Sequence, residues 1–122
     1  MSILLSFTST LAIIFIVPIL IYAIFTALFG LKEPEKKLSF FAGVLLQKIG
    51  TTIGFTSLFY LGKDNIADHW LLYGFTWFVM FAFTEIGQTF MPNYSKKEAI
   101  AGIISEVIYF PLAAFVVATI AA

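Results

Sequence analysis

Residues Ile3 to Phe29 read ILLSFTSTLAIIFIVPILIYAIFTALF, without one charged side chain. A helix needs about 20 predominantly apolar residues to cross the hydrocarbon core of a bilayer, and this run exceeds that length. It lacks a basic leader and is longer than the apolar part of a signal peptide, so it reads as a retained span. Three further runs follow, Leu38 to Leu61, His69 to Phe90 and Ala99 to Ala121. Between them stand GLKEPEKK, GKDNIAD and MPNYSKK, short stretches of Gly, Pro, Asn and charge that carry turn chemistry. No run keeps a period of two, and backbone polar groups in lipid must be satisfied within the segment, so the runs are expected to be helices. The spacing predicts an all-α integral membrane protein: one transmembrane domain over residues 1–122, folded as a four-helix bundle with short loops.

Composition agrees. The chain has 122 residues, 61% hydrophobic and 11% charged, against about 45–50% and about 25% in soluble domains. Net charge is zero, so no overall field recruits nucleic acid. Every cation is Lys, which removes the bidentate recognition of phosphate and carboxylate that Arg supplies. Cysteine is absent, which excludes disulfides, thiol nucleophiles, thiolate zinc sites and iron–sulfur clusters. A single histidine, His69, excludes a bis-histidine haem, and Asp64 and Asp68 beside it have no metal-site spacing. There is no glycine-rich phosphate loop and no nucleophile elbow. With loops this short no soluble domain holds a substrate, so the chain does not read as an enzyme. Trp70, Tyr73, Trp77 and 15 Phe could line a lipid, quinone or pigment pocket, but no cofactor is indicated by a recognisable ligand set.

Orientation follows from lysine. The segments 30–37 and 91–97 carry Lys32, Lys36, Lys37, Lys96 and Lys97, whereas the opposite side carries Lys63. The positive-inside rule places loops 30–37 and 91–98 in the cytoplasm and both termini outside, in what reads as a prokaryotic plasma membrane. The sequon at Asn93 would then be accidental.

Helical spacing sorts the polar residues. Gly43, Gln47, Gly50, Thr51, Gly54 and Leu58 recur on the second span, and Gly50 and Gly54 are spaced for close helix approach. Gly74, Trp77, Phe81, Glu85 and Gln88 share a stripe on the third, and Glu98, Gly102, Ser105, Glu106, Tyr109 and Ala113 on the fourth. Pro18, Tyr22 and Thr26 align on the first, and Pro18 and Pro111 are expected to kink their helices. Gly43, Gly50, Gly54 and Gly102 are the expected packing positions.

Lys48, Glu85 and Glu106 stand inside spans, where an ionised group costs about 2.5–3.5 kcal/mol on insertion scales. Counted along the helical rise, Lys48 and Glu106 lie about 15 Å from the cytoplasmic boundary, Tyr22 about 12 Å and Glu85 about 9 Å. The expectation is one buried layer in which Glu106, Glu85 or both neutralise Lys48, supported by Tyr22, Gln47, Thr51, Gln88 and Tyr109. Two acids against one base leave one proton or one charge over. Three functions fit: a non-catalytic accessory subunit of a larger membrane complex or homo-oligomer, a minimal proton- or ion-linked carrier or channel built on the Lys-Glu-Glu cluster, and packing charges that only set helix register.

The segment TEIGQTFMPNYSKKE, residues 84–98, resembles part of the VanZ-like family of small membrane proteins, linked to glycopeptide (teicoplanin) resistance. Glu85, Gln88, Pro92 and Glu98 fit the family's order; Tyr94 stands where its arginine belongs, and the later Asn-x-x-Gly is missing. The resemblance covers about 15 residues and implies a cell-envelope, lipid-related role.

Overall fold

The structure, a computed structural model, describes residues 2–30, 37–92 and 95–122. The side chains of Lys32, Lys36 and Lys37, on which the orientation partly rests, and those of Asn93 and Tyr94, lie outside the described residues. The elements are α1 (Ser2–Phe29), α2 (Lys37–Leu61), α3 (Lys63–Ile66), a 3-10 turn (Ala67–His69), α4 (Trp70–Gln88) and α5 (Lys96–Ala121). Among the described residues, four helical segments are long and apolar enough to cross a membrane.

Two boundaries differ from the sequence expectation. GKDNIAD is not an open loop: Gly62 O accepts from Asn65 N and Ile66 N, so the chain makes a short helical turn and a 3-10 turn before α4. α5 starts earlier than Ala99 because Ser95 caps it, its hydroxyl accepting from Glu98 N at 3.3 Å. Ser95-Lys-Lys-Glu98 has the capping-box spacing, a start signal the apolar pattern conceals. α1 ends at Gly30, whose φ of 66° is the left-handed conformation that glycine adopts freely. α1 and α5 run helical through Pro18 and Pro111.

α5 is the centre of the bundle. Half of its apolar window is buried inside the protein, against 6% for that of α1. Its inward side is made of Ala99, Ala101, Gly102, Ser105, Ala113 and Ala114, small residues that let neighbouring backbones approach. α1 and α4 pack along it, and α2 packs mainly on α1. At the α4–α5 crossing a Cβ on Gly74 would stand 2.8 Å from Phe110 O and Pro111 Cα, so only glycine permits that approach.

The half of α2 that follows Gly50 is drawn in by aromatic rings. Phe55 meets Tyr73 at 5.0 Å between centroids and Phe110 at 5.9 Å; Phe110 also meets Phe81 at 4.9 Å. Such pairs contribute about 0.5–1.5 kcal/mol each beyond burial. Thr52, Phe55, Thr56 and Phe59 are therefore the buried face of α2. The stripe expected to pack is turned away from this face. Gly43, Gln47 and Gly50 are exposed, and among the described residues nothing beyond the adjoining residues and backbone of α2 itself lies within 4 Å of where a Cβ on Gly43 or Gly50 would stand. Gly54 does pack, 3.6 Å from the Trp77 ring. The stripes expected on α4 and α5 face inward from Gly74 and from Ala99 onward, respectively.

Candidate functional site

The site is built on α5. Tyr109 is 1% exposed and Glu106 is 4% exposed, adjacent on the inward face that the small residues of α5 create. Lys48 reaches this face from α2. Its ammonium donates to Tyr109 Oη at 3.3 Å and stands 4.7 Å from the centroid of the same ring. The lysine is thus held by a phenol, through a hydrogen bond and through the electron-rich ring face. Glu106 and Glu85 are near enough to act on it electrostatically.

Glu85 arrives from α4. Its carboxylate lies over the bare backbone of α5 at Gly102: a Cβ there would stand 2.7 Å from Glu85 Oε1 and 2.9 Å from Cδ. Gly102 is therefore a seat for a side chain, in addition to the close approach of helices expected of it. Gly102 and Glu106 are one turn apart on the same face of α5, and the Glu85 carboxyl comes within hydrogen-bonding reach of Glu106. Two carboxyl groups that close share a proton or repel. Glu106 Oε1 is buried and meets no hydrogen-bonding partner among the described residues.

The remaining expected members scatter around this centre. Tyr22 comes from α1, and its hydroxyl donates to the carbonyl of Glu98 at 3.2 Å, tying α1 to the first turn of α5. Thr51 is half-buried and folds its hydroxyl back onto Gln47 O at 2.8 Å. Gln88 is half-buried, and Gln47 is exposed on the outer side of α2. The structure brings Lys48, Glu85, Glu106 and Tyr109 together from three helices, with Tyr22 along α5 from them, and leaves Gln47 outside.

A second polar element escapes the charge-based reading. Ser6 and Thr10 of α1 and Thr52 and Thr56 of α2 are all buried, and Ser6 Oγ pairs with Tyr60 Oη at 2.7 Å. The signal was in the sequence: Ser6 and Thr10 are four apart, as are Thr52, Thr56 and Tyr60, so each set shares a helix face. Hydroxyls are common in membrane helices, and a spacing of four does not by itself tell an inward face from an outward one.

No family model, no curated protein and no solved structure matches this chain.

Proposed function

We propose that this chain is an integral membrane protein of four spans that handles protons inside the bilayer, as a minimal proton-linked carrier or channel working in an oligomer. Loops 30–37 and 91–98 face the cytoplasm and both termini face outward. Glu106 is the group that gains and loses the proton. Glu85, seated on Gly102, is its exchange partner, and Lys48 supplies the positive charge that makes the ionised state tolerable. Tyr109 holds that lysine in place.

The observation that carries this reading is the state of Glu106. It is buried, one of its oxygens has no partner among the described residues, and its neighbour is another acid. A carboxyl kept only to fix helix register would be expected to have its oxygens satisfied, because a stranded buried polar group costs about 1–3 kcal/mol, and more when charged. Lys48 donates one of its hydrogen bonds to Tyr109, beside Glu106 on α5. An intramembrane acid arranged this way suits reversible protonation.

The test is reconstitution in liposomes with an entrapped pH dye and a potassium diffusion potential. Wild type should admit protons, and Glu106→Gln should reduce the rate to that of empty vesicles. Equal rates for the two would remove the proposal.

A second reading, an accessory subunit of a larger membrane assembly, is supported by a different observation. Gln47 stands exposed between Gly43 and Gly50 on α2, an amide at a depth where lipid offers it no hydrogen bond. Purification in mild detergent separates the readings: partners at fixed stoichiometry favour the subunit, a lone monodisperse oligomer the carrier.

A further inference from the structure

The threonines of this protein fall into two groups. Thr8, Thr26, Thr51, Thr52, Thr76, Thr84 and Thr119 each donate to the carbonyl four residues back, and Thr89 to that three back. That back-bond satisfies a hydroxyl in hydrocarbon, where no water is at hand. The two exceptions are Thr10 and Thr56. Both are buried, at 0% and 2% exposure, and neither hydroxyl meets a partner among the described residues.

These two exceptions sit at one level. The Ser6–Tyr60 hydrogen bond sets the register of α1 against α2, which run antiparallel. One helical turn further in, α1 presents Thr10 and α2 presents Thr56. A turn beyond Thr56 comes Thr52, and then Lys48, whose carbonyl accepts from Thr52 and whose ammonium donates to Tyr109. Tyr109 adjoins Glu106 on α5, whose Oε1 is, among the described residues, the third buried oxygen without a partner. All three unpartnered oxygens thus lie along one polar seam from the Tyr60 end of the bundle to the acid.

Successive members of the α2 file are four residues apart, a rise of about 6 Å. That spacing also matches two hydrogen bonds of about 2.8 Å through one water. Buried waters take such positions, making about three hydrogen bonds to polar groups that would otherwise be unsatisfied.

We infer that Thr10 and Thr56 hold ordered water between α1 and α2, and that this hydrated seam is the route by which protons reach Glu106 from the end of the bundle marked by Ser6 and Tyr60. As a proton route it rests on the reading of Glu106 given above; as a water site it stands on the hydroxyls alone. The two unreturned hydroxyls are the functional difference between this seam and the lipid-facing threonines.

The chain contains no cysteine, so single thiols can be introduced on a clean background. Thr10→Cys and Thr56→Cys test the seam, and Leu58→Cys, at a position 50% exposed on the outer side of α2, is the lipid-facing control. Proteoliposomes are treated with silver ion, which is small enough for a narrow aqueous path, and the surviving thiol is counted by alkylation after denaturation. Because ionised thiol is the reacting form and ionises in water, Thr10→Cys and Thr56→Cys should react at least about tenfold faster than Leu58→Cys. Rates at both seam positions no faster than at the control overturn the inference. A Thr10→Val/Thr56→Val pair provides a second measurement that needs no new thiol. It should lower proton entry while leaving the protein folded; unchanged entry overturns the route. Reactive seam thiols together with a Glu106→Gln variant as permeable as wild type would keep the water and overturn the proton reading of Glu106.

Discussion

The Lys48 ammonium rests on Tyr109, 3.3 Å from its hydroxyl and 4.7 Å from its ring centroid. The lysine anchors the middle of α2 to the central helix, and Glu106 beside it keeps an unpartnered oxygen. That division of labour between a phenol and an acid makes several outcomes measurable.

Tyr109 contributes through two separable contacts. Tyr109→Phe keeps the ring and removes the hydroxyl, and should cost about 1.5–3 kcal/mol, the range for a hydrogen bond to a charged group. Tyr109→Leu removes the ring as well and should cost more, by about 2 kcal/mol for a desolvated cation over an aromatic face and by the cavity it leaves. Thermal unfolding in detergent compares the two; equal losses would mean the ring face contributes nothing.

Lys48→Met leaves Glu85 and Glu106 with no cation in their layer. The loss should be about 3–5 kcal/mol, as when one partner of a buried charge pair is removed. Adding Glu106→Gln should recover part of that loss, because the charge left stranded is gone. Strictly additive losses in this cycle would show that the two groups do not act on one another.

Glycine substitutions should divide by what each Cβ would meet. Gly74→Ala drives a methyl against the backbone of α5, which cannot yield without moving the helix, and should cost about 1–3 kcal/mol. Gly50→Ala meets nothing within 4 Å and should leave the unfolding temperature of the isolated chain unchanged. If Gly50→Ala instead shifts the oligomer distribution in analytical ultracentrifugation, the outer face of α2 is an interface.

Gly102→Ala is the sharpest separation of stability from activity. Its methyl would fall 2.7 Å from Glu85 Oε1, at the end of a flexible side chain that can swing aside. Stability should change little, by less than about 1 kcal/mol, whereas proton entry should fall because Glu85 loses its seat beside Glu106. A variant that conducts like wild type would show that the Glu85 carboxyl is not required where it lies.

Four apolar runs, their lengths and their lack of strand periodicity were enough to specify four long helices, because a long apolar run without a period of two satisfies its backbone groups within the segment as a helix. The charges inside those runs were also visible, since Lys48, Glu85 and Glu106 stand out against Phe, Leu and Ile. The start of α5, encoded in Ser95 and Glu98, was not read, because the lysines between them break the apolar pattern. Which face of α2 turns inward was not legible. Gly43, Gln47 and Gly50 have the composition of a packing seam, yet the rings of Phe55, Phe59, Tyr73 and Phe110 rotate that seam outward and bury Thr52 and Thr56 instead. Local spacing shows which residues share a face. Only the competition among all faces for the small-residue surface of α5 decided which of them met it. The contact between Lys48 and Tyr109 follows the same pattern: helical rise put an amine, two acids and two phenols in one layer, and the rotation of α2 against α5 brought the phenol of Tyr109 to the amine.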